Sequence, residues 1–360
     1  MPVSVGCGGQ GYANEPCVSV TICMPGTGTC QTVNNILLDT GSFGLRLFSG
    51  SLTISPPTVA DPNTAGNTLA ECVSYGDGSS DWGPMATADV TLGAETASSV
   101  PIQLINSAYG TPPASCTDLD TSASVNGFNG ILGVGLFPQD CGDGCAPDPN
   151  VDNSTNGIYY TCTGSGVCTG VTVTTAMQVT NPVTMLTTDN NGVILELPSV
   201  AIGGVTLATG SLVLGIGTES NNQPLSPTVL PADDYGNFIT AFGGQSMSTS
   251  FIDSGSEALM FPSTTVTACG DSSFFCPANE TVLSATQRGA NGTGSATVVF
   301  SVGNGDSLLA QSNPNLVFSD LAAPSTNYFD WGLPFFLGRD VYVGFYGQAS
   351  TLGTGPLWAF

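Results

Sequence analysis

An Asp-Thr-Gly-Ser turn at residues 39–42 has a near copy, Asp-Ser-Gly-Ser, at residues 253–256. Each ends a short apolar run, Ile36-Leu37-Leu38 in the first case and Phe251-Ile252 in the second. Such a run reads as a buried strand that delivers its Asp into a tight turn. Two matching turns imply two matching half-molecules, so the chain is divided here into residues 1–185 and 186–360. They also bring a carboxyl pair, Asp39 and Asp253. Hydrolysing an amide with carboxylates alone needs one group to deprotonate water and another to protonate or polarise the carbonyl, and a symmetric pair can do both.

The duplication extends beyond the turns. Asn129-Gly130-Ile131-Leu132-Gly133 follows the first and Pro334-Phe335-Phe336-Leu337-Gly338 the second, at offsets from the turn glycine of 133 − 41 = 92 and 338 − 255 = 83. An apolar pair ending in Gly suits a strand packed close against an Asp loop, where a side chain would clash. Between the halves, residues 137–180 form a Cys-, Asp- and Gly-rich insertion that reads as a disulfide-stapled surface excursion.

Gly (47) and Pro (24) interrupt short Thr-, Ser- and Val-rich runs, so the elements are strands joined by tight turns. Residues 18–22, 86–92, 296–302 and 341–345 carry the strand alternation. The helix candidates, residues 182–188 and 315–321, are short. The fold class is all-β.

Composition narrows the chemistry. The chain has no His and no Lys, and its three cations are Arg46, Arg288 and Arg339. This excludes Ser-His and Cys-His nucleophile systems, His-based zinc motifs, lysine Schiff bases and Lys-dependent phosphate loops. A net charge of −24 with so few cations excludes nucleic acid and anionic membrane surfaces as partners. It also points to an acidic working environment, where protonated carboxyls no longer repel one another. No cofactor or metal is called for. No apolar run is long enough to span a membrane.

Twelve cysteines without any histidine fit disulfides formed in an oxidising compartment better than metal binding. Cys23 with Cys30, Cys162 with Cys168, and Cys269 with Cys276 are plausible local staples. The expectation is a trimmed, exported protein, secreted or periplasmic, acting as a monomer. Asn153, Asn279 and Asn291 head triplets of the glycosylation-acceptor form.

A further segment, Ser74-Tyr75-Gly76-Asp77-Gly78-Ser79, has the Asp-Gly signal of a hairpin between two strand-like runs. With the paired turns and the apolar-Gly elements, in this order, the chain resembles the pepsin-like aspartic peptidases over most of its length. The resemblance implies a bilobal fold of two β-barrel-like lobes with a cleft between them. It implies that Asp39 and Asp253 share a proton and hold a water. Thr40, Gly41, Ser42, Ser254, Gly255 and Ser256 would support the pair. Ser42 and Ser256 would bond the outer carboxyl oxygens, and Gly41 and Gly255 would offer N–H groups. Tyr75, Gly76, Asp77 and Gly78 would form a flap over a polypeptide substrate, with Asp77 reaching its backbone. The chain departs from the family at Phe43-Gly44-Leu45-Arg46, where the flap tyrosine's usual support stands. It departs again at Glu257, either a third carboxylate beside the pair or a solvent-facing one.

The leading expectation is therefore an aspartic endopeptidase working at acidic pH and favouring apolar residues at the scissile bond. A catalytically silent secreted binding or inhibitor protein on the same scaffold is the alternative; such proteins typically lose one Asp, and both are present here. A glycosidase using two carboxylates is weaker, since the few Trp offer little sugar-stacking surface.

Overall fold

Alternating apolar residues and tight Gly turns make strands the dominant regular structure of the computed structural model, which describes residues 1–147, 157–270 and 273–360. In chain order the first strands are β1 (Pro2–Val5), β2 (Pro16–Cys23), β3 (Cys30–Asp39), β4 (Phe43–Phe48), β5 (Thr68–Ser74) and β6 (Ser80–Leu92). Then come β7 (Glu95–Ile105), β8 (Gly130–Val134), β9 (Tyr159–Cys162), β10 (Cys168–Gly170), β11 (Gly192–Leu197) and β12 (Ala208–Leu214). The next six are β13 (Val229–Pro231), β14 (Phe238–Phe242), β15 (Gln245–Ile252), β16 (Leu259–Phe261), β17 (Thr281–Arg288) and β18 (Ser295–Val302). The last are β19 (Ala322–Pro324), β20 (Phe329–Trp331), β21 (Arg339–Gly344), β22 (Ala349–Ser350), β23 (Gly353–Thr354) and β24 (Leu357–Ala359). Among the described residues the α-helices are single turns, Ala123–Asn126 and Gly305–Leu308. The fold is all-β. Residues 182–185 form a 3-10 turn, whereas residues 315–321 contain no helix and place Val317 opposite Val205 in an isolated bridge.

The largest sheet has fifteen strands in the order β10-β9-β5-β6-β7-β4-β8-β3-β2-β1-β12-β11-β21-β24-β13. An additional β6–β2 pairing closes its middle into a barrel-like ring. Strands from beyond residue 186 extend this same sheet, because β1 pairs with β12. Seven strands, β18-β17-β14-β15-β20-β16-β19, make a second sheet. One apolar core runs from Ile36 and Leu38 in the first sheet to Ile252, Phe261 and Trp331 in the second. Trp331 stacks on Phe329 at 4.3 Å and meets Phe335 edge-on at 5.1 Å. Such aromatic pairs add about 0.5–1.5 kcal/mol each beyond area burial.

Both Asp-bearing strands sit in the same local arrangement. Strand β3 runs parallel to β8, with Asp39 opposite Gly133, and β4 flanks β8 antiparallel. Strand β15 runs parallel to β20, with Ile252 opposite Trp331, and β16 flanks β20 antiparallel. The Asp253 N–H then donates to Trp331 O, so the residue facing the second turn is Gly332. This corrects the expectation for Gly338, which lies beyond a 3-10 turn against Ser199. The reason for glycine is the same at both true positions. A Cβ on Gly133 would lie 2.5 Å from Phe43 N, and one on Gly332 would lie 2.1 Å from Ala258 O.

Six disulfides join Cys7–Cys17, Cys23–Cys30, Cys72–Cys116, Cys141–Cys145, Cys162–Cys168 and Cys269–Cys276. The three expected local staples are among them, and the set fits folding in an oxidising compartment. The insertion is not merely a surface excursion: Tyr159, Val173 and Val179 are buried with Leu69 and Met85. Asn279 and Asn291 are exposed, and Asn153 lies outside the described residues. Among the described residues no helix is long and apolar enough to cross a membrane.

Candidate active site

The two turns are tied together by four reciprocal hydrogen bonds. The Thr40 hydroxyl accepts from Ser254 N–H at 2.9 Å and donates to Ile252 O at 3.0 Å. The Ser254 hydroxyl accepts from Thr40 N–H at 3.0 Å and donates to Leu38 O at 2.7 Å. Small hydroxyl residues suit this place because each must both accept from and donate to backbone groups of the opposite segment. The glycines are needed because the turns approach so closely. A Cβ on Gly41 would stand 2.6 Å from Asp253 Cγ, and one on Gly255 would stand 2.8 Å from Asp39 Cγ.

This grip brings the Asp39 and Asp253 carboxyls close enough for the charge of Asp39 to raise Asp253. Two carboxyls held this close favour a single proton shared between them. Gly41 N–H donates to Asp39 Oδ1 and Gly255 N–H to Asp253 Oδ1, both at 2.7 Å. Ser256 adds its N–H to Asp253 Oδ1 at 3.2 Å and its hydroxyl to Asp253 Oδ2 at 3.0 Å. Burial, and after it the charges of Asp39 and Asp330, push Asp253 well above the usual carboxylate range. The halves are not equivalent, however. Ser42 Oγ is buried with no hydrogen-bond partner, so the expected support of Asp39 by Ser42 is absent.

Asp330 is the site residue that the motifs do not reveal. It is 3% exposed, close to the Ser256 hydroxyl and near enough to Asp39 and Asp253 for their charges to act on one another. Glu257, by contrast, is half-buried, and burial raises its carboxyl to about 7. Residues 12–14 hold this side of the second turn. The Tyr12 hydroxyl donates to Gly255 O, and Asn14 Nδ2 donates to Glu257 O at 2.6 Å and Phe318 O at 3.0 Å.

The β5–β6 hairpin carries the remaining expected residues. Tyr75 lies at its turn, with Gly76, Asp77 and Gly78 exposed at the tip. Tyr75 packs with Tyr12 against Leu37, Phe48, Ile105, Phe128 and Ile131, an apolar cluster that begins two residues before Asp39. Its hydroxyl donates to Asp81 Oδ2 at 2.7 Å, so Asp81 supplies the support missing after the first turn. The Asp77 carboxylate accepts from Ser79 N–H within the turn itself. Arg46 is not at the surface of the site. It stands on strand β4, buried between Glu71 and Asp140 at 2.9 and 2.7 Å.

Over its full length, residues 1–360, the chain is matched by the family model described as a protein of unknown function, DUF3443. The chain belongs to the DUF3443 family. That overturns its placement among the pepsin-like aspartic peptidases, which rested on two four-residue turns, a hairpin tip and the apolar-Gly element after each turn. Those segments specify local backbone and carboxyl placement, and they leave the remainder of the sequence unconstrained. No curated protein matches the chain.

The buried carboxyls of this DUF3443 chain make its stability pH-dependent. Burial raises Glu15 and Asp81 to about 8 each and Glu257 to about 7. A carboxyl whose folded pKa lies above its unfolded value makes the folded state bind more protons, so stability is greatest below the unfolded value and falls as pH rises through the folded one. Thermal unfolding followed by circular dichroism is expected to give a higher Tm near pH 4 than near pH 8. A Tm that rises across that interval would contradict the assignment of these groups as neutral.

Proposed function

We propose that the chain is an aspartic endopeptidase that hydrolyses peptide bonds with water activated between Asp39 and Asp253, at acidic pH. The observation that carries this reading is the closely set carboxyl pair, Asp39 buried and Asp253 half-buried, held by reciprocal Thr40 and Ser254 bonds. The halves bearing the two turns would face each other across a cleft, with the Tyr75 hairpin over it and an extended polypeptide beneath.

In the scheme, Asp39 takes a proton from water as the water oxygen bonds to the peptide carbonyl carbon. Protonated Asp253 gives its proton to the carbonyl oxygen, so the tetrahedral diol carries no net charge. Collapse of the diol breaks the C–N bond, with the proton from Asp39 passing to the leaving nitrogen and a diol proton returning to Asp253. The pair thus ends with one proton, as it began. The apolar cluster under Tyr75 and Tyr12 supports a preference for apolar side chains beside the scissile bond. Both carboxyls come from one chain, consistent with action as a monomer, secreted or periplasmic.

The direct test is incubation with a denatured protein from pH 2 to 7, with products read by mass spectrometry. Cleavage at acid pH, blocked by a statine-type transition-state mimic, is expected. Absence of cleavage throughout that range would leave a binding protein as the better account.

A further inference from the structure

Asp330 is a buried carboxyl that the hydrolytic scheme leaves without a role. The internal repeat shows how unusual it is. Ile131 stands opposite Leu37, two residues before Asp39, and Asp330 stands opposite Phe251, two residues before Asp253. One half thus has an apolar residue at the position where the other buries an acid. Burying a carboxyl is costly unless it is neutral or well paired. Here the nearby Ser256 hydroxyl favours its charged form, and its Oδ1 has no partner. Ser42, the hydroxyl equivalent to Ser256, is unbonded.

A hydroxyl owns one proton. With that proton donated to Asp253 Oδ2 at 3.0 Å, Ser256 Oγ has none left for the neighbouring Asp330, which burial then holds neutral. When Asp330 ionises, the Ser256 proton turns to it. Asp253 then loses a donor to its anionic form and gains a neighbouring negative charge. Both changes favour a neutral Asp253. The titratable groups facing Asp330 are Asp39, Asp253 and the Tyr328 hydroxyl. The flanking strands β15 and β16 carry none.

We propose that Asp330 is a positioning residue which, through the Ser256 hydroxyl, holds the shared proton on the Asp39–Asp253 pair and extends the pair's working range toward neutral pH. This deepens the hydrolytic reading and rests on it.

The test is the pH profile of kcat/KM for wild type and Asp330→Asn, beside a titration of 13C-labelled aspartate carboxyls by NMR. Asparagine keeps a partner for Ser256 but cannot ionise. The upper limb of the profile is expected to move down by about one pH unit, giving up to roughly tenfold loss on that limb and less at the acid end. In the same variant the Asp253 carboxyl carbon should titrate at lower pH. An unmoved limb and an unmoved Asp253 titration would overturn the proposal. The wild-type titration decides the matter even if the variant does not fold. Asp330 is expected to titrate in steps shared with the pair, and a single step at the ordinary aspartate value would overturn its role. If no peptide is cleaved at any pH, the hydrolytic reading fails by itself, while the carboxyl titrations still report whether Asp330 governs Asp253.

Discussion

Asp39→Asn and Asp253→Asn are each expected to lower peptide hydrolysis about 10²–10⁴-fold, the range associated with losing a positioned acid or base. The fold should survive, because neither carboxyl takes part in the grip. Thr40 and Ser254 make those bonds with each other's backbone. An asparagine oxygen can still accept from Gly41 or Gly255 N–H, so each turn keeps its local bond. What disappears is the proton shared across the pair. Stability gives an independent readout for the second position. Folding raises the Asp253 pKa through burial first and the Asp39 charge second, so ionising it costs stability as pH climbs above the unfolded aspartate range. Asp253→Asn should therefore unfold at a Tm no lower than wild type near pH 7, with the gap closing toward pH 3. Full hydrolytic activity in a folded Asp253→Asn variant would sink the assignment of the pair.

Much of this arrangement is readable in the chain because it is local. Alternation over residues 86–92 and 296–302 marks strands, and a short apolar run ending in Asp and Gly marks a turn. The glycine requirement at Gly41 and Gly255 has its reason across the molecule, in the opposite carboxyl, yet the residue pattern records it. Pairing at a distance is what the pattern withholds. Leu337-Gly338 and Trp331-Gly332 both end apolar runs, and only the parallel register of β15 with β20 selects the second. Asp330 did carry a signal, an acid inside the apolar triplet Phe329-Asp330-Trp331, which neither a solvent-facing strand nor a plain core strand would need. Tyr12, in a Gly-rich segment, carries no such signal, and its bond to Gly255 O spans most of the chain. The same limit applies to ancestry. The turns speak to carboxyl geometry, while the family is set by all 360 residues.

Arg46→Met is expected to destabilise the protein by about 3–5 kcal/mol at neutral pH, the range for removing one partner from a buried ionic cluster. The guanidinium is 1% exposed. It donates to Glu71 at 2.9 Å, to Asp140 at 2.7 Å and to Phe43 O at 2.7 Å. Glu71 lies on β5, Asp140 opens the insertion, and Phe43 follows directly on the first Asp turn. Asp140 also accepts from the Tyr159 hydroxyl at 2.6 Å, which in turn accepts from Val179 N–H at 2.8 Å. Methionine can fill the space of the stem, but it leaves two buried acids with no cation. Burial, then the Glu71 charge, already press Asp140 toward its neutral form. Without Arg46 that pressure is opposed by the Tyr159 hydroxyl and no longer by a cation, so the variant should recover part of its stability on acidification, when both acids hold protons. Urea unfolding at pH 7 and pH 4 measures this, and the variant's deficit should be clearly smaller at pH 4. Adding Glu71→Gln and Asp140→Asn to Arg46→Met should restore part of the loss at pH 7 by removing the stranded charges. An equal deficit at both pH values, with no recovery in the triple variant, would mean that Arg46 acts by packing alone. In that case the ionic cluster would not be what fixes β4, and with it the first Asp turn, against the hairpin that carries Tyr75.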